Sequence, residues 1–376
     1  MKRKHNKIIR AVTAPQSLCF CREVMIKMRM MGYEMVAVTS PGAELDKLRD
    51  EDGFHCVAVP MERHISIVND LKSLWNMIWV LRKERPYMVH SMTPKAGLIC
   101  MFAAWITRVP RRVHTFTGLM WPTATGLKRR ILMSTDRLTC ACATHVIPEG
   151  QGVLNDLKKG GITKKPMKIL GYGNVMGVDM ERFNPARFVV QKEDGVFTFL
   201  FVGRIVGDKG INELVEAFTR LYNKYKNVRL VLVGTYEHEL DPVSDTTRKE
   251  IDTNDAINAC GTKYGDDLLQ MYVDADCFVM PSYREGFPNT VLEAGAMNLP
   301  SIVTDINGSR EIIANEKNGL IVPSKNTTAL YEAMERILTD DVLRMHMARM
   351  ARPMINSRFE KEFVQSCQIK FYKEIM

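Results

Sequence analysis

At 376 residues and 46% hydrophobic, the chain holds apolar material for more than one core, and its length favours two domains of ordinary size. Its longest unbroken apolar run, "GLICMFAAWI" at 97–106, is well short of the roughly 20 residues that span a bilayer, and the apolar stretch after the basic start MKRKHNKIIRAV is broken at Arg10, Pro15 and Gln16, so neither a membrane span nor an export signal is expected. The net charge of +9 is uneven: residues 1–185 carry 29 Lys and Arg against 15 Asp and Glu, whereas 186–376 carry 23 against 28.

A basic first half suits an anionic membrane surface or a phosphorylated substrate, or serves solubility alone. The acidic second half argues against a pure nucleic-acid binder. The nine cysteines include Cys19/Cys21 and Cys140/Cys142, whose spacing is not that of a zinc knuckle, so reduced thiols and no metal are expected.

In chain order, short apolar runs alternate with longer amphipathic stretches. "KIIRAVT" precedes a helix at 17–31, "EMVAVTS" one at 42–52, "FHCVAVP" one at 66–84 and "YMVHS" one at 94–107. This alternation builds a parallel sheet covered by helices on both faces. After Phe183, Asn184 and Pro185 the charged patch "QKEDG" reads as a linker. The pattern restarts with "VFTFLFVGR" and a helix at 210–225, then "VRLVLVG", a polar loop at 235–249, "DCFVMPS", a helix after Gly286, "PSIVTD", "GLIVPS" and a helix at 326–339. The final stretch, 358–375, spaces Phe359, Phe363, Cys367, Phe371 and Ile375 as one amphipathic helix. The fold class expected is α/β, two doubly wound domains at 1–185 and 186–355.

Ligands of doubly wound sheets sit at the carboxyl ends of the strands, here the loops after Thr13, Ser40, His90, Phe116, Val202, Gly234, Met280 and Thr304. "FVGRIVGDKG" ends a strand at Gly203 and supplies Arg204 and Lys209 before a helix opens. Two cations over one cleft suit a diphosphate, Arg by its fork and Lys as a point charge. Taken alone, they better describe ordinary surface residues flanking a βα turn.

The stretch "REGFPNTVLEAGAMNLP" at 284–300 shifts that balance. Pro288 is compatible with a first helical turn, which points the N–H groups of residues 286 to 290 out of a helix N-terminus, and Gly286 allows close approach. Glu285 and Glu293 lie eight positions apart, and at roughly 12 Å along a helix they cannot flank one bond as the paired carboxylates of a retaining glycosidase. Each suits a separate hydroxylated part of an elongated ligand. Glu293 stands among Val291, Leu292, Ala294 and Ala296, so it needs a partner to justify burial.

Taken together, "FVGRIVGDKGINELVEAF", "MPSYREGFPNTVLEAGAMNLPSIVTDINGSREII" and "NGLIVPS" resemble the donor domain of family 4 retaining glycosyltransferases, over most of 196–340 and including the Glu-x7-Glu signature. That resemblance implies the GT-B fold, two Rossmann-like domains facing a central cleft, with the C-terminal helix, 356–376, returning to the N-terminal domain. In the first half "HSMTPKAG", "HTFTGL", "PTATGLKRR" and "GYGNVMGVD" are similar to bacterial enzymes that extend glycans on undecaprenyl diphosphate for capsule, exopolysaccharide or glycoprotein synthesis.

The resemblance implies that Arg204 and Lys209, after Gly203, hold the nucleotide diphosphate. Gly286, Phe287, Pro288, Asn289, Thr290 and Val291 contact sugar hydroxyls and phosphate through their backbone. Glu285 binds the donor sugar and Glu293 the ribose, while Thr262, Lys263 and Tyr264 pack on the base. It further implies a nucleotide sugar as substrate, UDP by expectation, retention of configuration, and neither cofactor nor metal.

On the acceptor side this chain departs from the family. "TAPQSL" replaces the glycine-rich loop, leaving Pro15, Gln16 and Ser17 to line the cleft. Thr117, before Gly118, stands where a His is common, with His114 three residues upstream as a substitute. Lys95 is a candidate for the acceptor phosphate, or a solvated first-turn lysine. "TATGLKRRILMSTDRLT" at 123–139 reads as a basic amphipathic surface resting on anionic lipid, or as a core-facing helix with a charged outer face. A soluble-acceptor GT-B enzyme, a sugar nucleotide epimerase and a non-catalytic two-domain protein are the other readings. A dinucleotide oxidoreductase is disfavoured because no G-x-G-x-x-G follows any expected strand.

Overall fold

The computed structural model describes residues 4–62, 66–237 and 241–376; the first three residues of the basic start and 238–240 of the expected polar loop lie outside them. The chain divides into two compact units, Met1–Gly177 with Glu362–Met376, and Val178–Lys361.

The first unit is built on a parallel sheet of β1 (Lys4–Ala11), β2 (Glu34–Thr39), β3 (His55–Ala58), β4 (Pro86–Met92), β5 (Arg111–Phe116) and β6 (His145–Pro148), in the order β3-β2-β1-β4-β5-β6. Alternate residues feed two cores. Ile9, Val36 and Val89 pack under helices Ile67–Glu84, Pro94–Ile106 and Gly126–Cys142, while Ile8, Ala37 and Met88 pack against Arg22–Met30, Ala43–Asp50 and Lys361–Ile375. A sheet covered on both faces has strands that read as unbroken apolar runs, which is why they stand out in the sequence.

A buried cation ties the returning C-terminal helix to this sheet. Arg10, 1% exposed, donates to His90 Nδ1 and to the Tyr372 hydroxyl, and His90 Nε2 lies 2.7 Å from Thr115 Oγ1. Burial and the neighbouring guanidinium hold His90 well below the usual histidine range, so it can accept from Arg10.

The second unit repeats the plan with β7 (Phe197–Val202), β8 (Val228–Val233), β9 (Ile257–Ala259), β10 (Cys277–Met280), β11 (Ser301–Thr304) and β12 (Gly319–Val322), in the order β12-β11-β10-β7-β8-β9. Counted within each unit, both sheets follow the doubly wound order 3-2-1-4-5-6. Two glycines let the loops past the strand ends touch: a Cβ on Gly210, at φ +71°, would lie 2.1 Å from the Pro281 carbonyl oxygen, and one on Gly234 would lie 1.8 Å from that of Gly203.

Several boundaries differ from those expected. The stretch 17–31 holds a 3-10 turn, Pro15–Phe20, and a separate helix, Arg22–Met30, divided at Cys21, whose ψ of −10° leaves the helical region. The polar loop at 235–249 leads into helix Asp245–Thr253, where Ser244 Oγ caps by accepting from Thr247 N at 3.1 Å. Contacts divide the units at Gly177/Val178 rather than at 185/186, because Val178 N donates to Phe359 O at 2.8 Å and Phe183 joins the second core. The C-terminal stretch is two helices, Asp341–Phe359 and Lys361–Ile375. The latter buries Val364, Gln368, Phe371 and Tyr372, and leaves Phe363 38% exposed. A stripe spaced by four drifts about 40° per step around a helix, so it does not follow one buried face. Among the described residues no helix is long and apolar enough to cross a membrane.

Candidate active site

In the second unit the strand order reverses between β7 and β10, and the loops that follow those strands meet there. After β7 comes Gly203, then exposed Arg204, a 3-10 turn Gly207–Lys209, and helix Ile211–Lys224. After β10 comes 281–288, leading into helix Asn289–Ala296. The two loops are laced together. Lys209 Nζ lies 2.5 Å from Glu285 Oε1, Arg284 Nη2 donates to Asp208 Oδ2 at 3.0 Å, and Tyr283 N donates to Asp208 O at 2.8 Å.

Pro288 is the N-cap of helix Asn289–Ala296, one position earlier than the first-turn placement expected. No side-chain cap occupies that start, which is the positive end of the helix and follows Glu285 by four positions; within the first turn Val291 N donates to Pro288 O at 3.2 Å. Phe287 is an anchor, 6% exposed with its ring centroid 5.3 Å from that of Phe359, so what it offers a ligand is backbone. The loop after β11 closes over Gly286: a Cβ on Gly308 would stand 2.5 Å from Gly286 O and 2.7 Å from Pro288 Cδ.

Glu293 has the partner its apolar setting demands, since the Tyr272 hydroxyl donates to Glu293 Oε2 at 3.0 Å. Burial pushes this carboxyl up to about 7, against the Tyr272 hydrogen bond and the charge of Arg182, which both pull it down. Past β9, Thr262, Lys263 and Tyr264 form an open loop with the Tyr264 ring 79% exposed, joined to the β8 loop through Gly234 N donating to Gly261 O at 2.9 Å. Glu237 is one residue that sequence reasoning missed; it accepts from Arg204 Nη1. Asp208 had a visible signal, an acid beside Lys209 in "GDKG", whereas Glu237 and Tyr272 had none. Among the described residues no group of three or more His, Cys, Asp or Glu is placed to hold a metal ion.

In the first unit the reversal falls between β1 and β4. Thr13 Oγ1 lies 2.7 Å from Thr93 Oγ1 and accepts from Ala96 N at 3.1 Å, with Thr93 at φ +71°, unusual for a β-branched residue. Near it Gln16 is exposed and Ser17 half-buried, and past β5 Thr117 and Gly118 are half-buried.

Two acceptor-side expectations change. His114 is 1% exposed, its Nδ1 2.9 Å from Ser91 Oγ and its ring wedged against Gly97, where a Cβ would come within 2.4 Å of Cε1. Strand alternation turns it into the core, and burial pushes its pKa down to about 3, so it does not substitute for a His at the Thr117 position. Lys95 is engaged, with Nζ 2.6 Å from Asp70 Oδ1 and the side chain 13% exposed.

This geometry, two doubly wound units and a cation–carboxylate pair at a helix start, agrees with comparisons to known proteins. The family profile described as "Glycosyl transferases group 1" matches residues 183–354, and "Glycosyl transferase 4-like domain" matches 20–173. The capsular polysaccharide biosynthesis glycosyltransferase CapM of Staphylococcus aureus is 31% identical, covering 96% of this chain and 95% of its own. A UDP-Gal:alpha-D-GlcNAc-diphosphoundecaprenol alpha-1,3-galactosyltransferase of Escherichia coli is 27% identical, covering 81% of this chain and 80% of its own. A crystal structure of a glycosyltransferase from Rickettsia africae shares the fold with a TM-score of 0.77 over 99% of both chains, at 19% identity. The chain therefore belongs to the group 1, family 4 glycosyltransferases and is a glycosyltransferase of the GT-B fold.

Proposed function

We propose that this glycosyltransferase moves a hexose or N-acetylhexosamine from a UDP-sugar to a glycan carried on undecaprenyl diphosphate, with retention of configuration and without a metal ion. The observation that carries the donor assignment is the Lys209–Glu285 pair set across the strand-order reversal, beside the start of helix Asn289–Ala296. The E. coli relative, whose name specifies UDP-Gal and a diphosphoundecaprenol acceptor, supports the donor and carrier classes.

In this reading Arg204, Lys209 and the helix-start N–H groups hold the diphosphate, Glu285 accepts donor-sugar hydroxyls, Glu293 takes the ribose, and Tyr264 stacks on the base. The bond from the anomeric carbon to the β-phosphate oxygen breaks. The acceptor oxygen bonds that carbon on the same face, and its proton passes to the departing phosphate oxygen. Arg204 and Lys209 offset the charge that develops there, the role of preorganised cations at a leaving group.

The test is a panel of UDP- and GDP-sugars offered with an undecaprenyl-diphosphate glycan or the same glycan freed of lipid, with the product linkage read by NMR and EDTA in a parallel arm. Transfer from a UDP-sugar to the lipid-linked glycan, with retained configuration and an EDTA-insensitive rate, is expected. Equal transfer to the free glycan would overturn the carrier assignment, an inverted product the retaining route, and EDTA inhibition reversed by a divalent ion the metal-free one.

A further inference from the structure

Helices Ile67–Glu84, Pro94–Ile106 and Gly126–Cys142 cover one face of the first sheet and share its core. Their outer surface is not the polar one that solvent-facing helices carry. On the first, Ile67, Leu71, Trp75 and Trp79 recur every four residues and are 75, 61, 68 and 59% exposed. Trp105, at the end of the second, is 55% exposed, so three of the four tryptophans of the chain lie on this layer. The third opens with Leu127 and Ile131, 72 and 43% exposed, interleaved with exposed Lys128, Arg129 and Arg130. This helix does face the core, through Leu132, Met133 and Cys140, but Leu127 and Ile131 add apolar groups to its charged outer face.

The charge of this layer is one-sided. Its three helices carry eight Lys and Arg against three acids, a surplus of five. The acids are already spent: Asp70 on Lys95 at 2.6 Å, Glu84 on Lys7 at 2.6 Å, and Asp136 in the interior. Lys83 Nζ stands 5.1 Å from the Trp79 ring centroid, placing a cation and an indole together at the surface.

We propose that this helical layer docks on an anionic lipid surface, with Trp75, Trp79 and Trp105 entering the headgroup region and the flanking cations meeting lipid phosphates. Indole suits that interface because its ring is apolar and its N–H is a donor. Lysine and arginine near a negatively charged leaflet add electrostatic attraction that salt weakens. A second copy of this chain fits the face poorly, since a two-fold contact would set one cationic surplus against another. The proposal does not depend on the identity of the acceptor, because its probe is lipid alone.

The full chain is floated with phosphatidylcholine vesicles containing or lacking about 30% phosphatidylglycerol, at low and high salt, while tryptophan emission is recorded. Binding confined to anionic vesicles, a blue shift, and roughly tenfold weaker partition in high salt are expected. Trp75→Ser with Trp79→Ser lowers partition by roughly tenfold or more with an unchanged melting temperature, as both side chains are exposed. Lys128→Glu with Arg130→Glu does the same without touching an aromatic residue. Absence of flotation at low salt, binding indifferent to both double variants, or a dimer in sedimentation that the tryptophan variant converts to monomer would each overturn the proposal.

Discussion

Lys209 and Glu285, 76 residues apart in the chain, meet at 2.5 Å with side chains only 17 and 15% exposed. Each orients the other at the helix start, so removing either alters both charge and geometry. Lys209→Ala is expected to lower kcat/KM by roughly 10²–10³-fold, the scale for losing one preorganised group at a developing charge. It also leaves a shielded carboxylate without its partner, at a cost of about 1–2 kcal/mol in a urea melt. Glu285→Gln should lose comparable activity with a smaller stability change, since the amide oxygen still accepts from Lys209 and no shielded group is left without a hydrogen bond. Near-normal turnover by Lys209→Ala would remove the donor-site assignment.

Arg204 is paired with Glu237, so a diphosphate that takes the guanidinium displaces that carboxylate. The Arg204 side chain is 50% exposed, and such pairs contribute about 0–1 kcal/mol. Glu237→Gln should therefore lower the KM for the nucleotide sugar by up to about fivefold with kcat little changed. An unchanged or raised KM would show that Glu237 does not compete with the donor.

The Glu293 carboxyl, pushed up to about 7 from an ordinary 4.5, makes stability depend on pH. Between those values the folded protein retains a proton that the unfolded chain has released, so stability falls as pH rises through the window. Glu293→Gln keeps an acceptor for Tyr272 and cannot ionise. Its stability relative to the parent should be flat below pH ~4.5 and rise by up to about 3 kcal/mol by pH ~8, from urea midpoints across pH. A parallel pair of pH profiles would show that Glu293 titrates normally.

Gly97 sits inside helix Pro94–Ile106, where exchange for Ala ordinarily stabilises by about 1 kcal/mol. Here the added Cβ would meet the His114 ring at 2.4 Å, so Gly97→Ala should instead destabilise by about 1–3 kcal/mol. Adding His114→Ala opens the space, and Gly97→Ala in that background should cost nothing or stabilise. Calorimetry of the four proteins of this cycle separates the clash from helix propensity.

Much of the fold was legible because its signals are local. Strands buried on both faces show as apolar runs, and the helices between them show by periodicity. The strands that escaped notice, β6 and β9, have four and three residues, too few to show a pattern. The C-terminal helix was legible as a helix, but its buried face was not, since Phe363 and Val364 are adjacent and both apolar, and only docking chooses Val364. His114 shows the same limit: alternation says it shares a side with Phe116, not that this side lies beneath Gly97.

By itself the sequence determined the parts: a cationic loop after one strand, a Gly-Phe-Pro-Asn helix start after another, and a glutamate in apolar surroundings that required a partner. The tertiary structure alone decided which parts meet. The sheet order sets β7 beside β10 and so brings Lys209 to Glu285, helix packing supplies Tyr272 to Glu293, and a loop fold gives Glu237 to Arg204. Such pairings join residues 21 to 76 positions apart, and they depend on strand order and helix facing, which leave no trace in the spacing of residues along the chain.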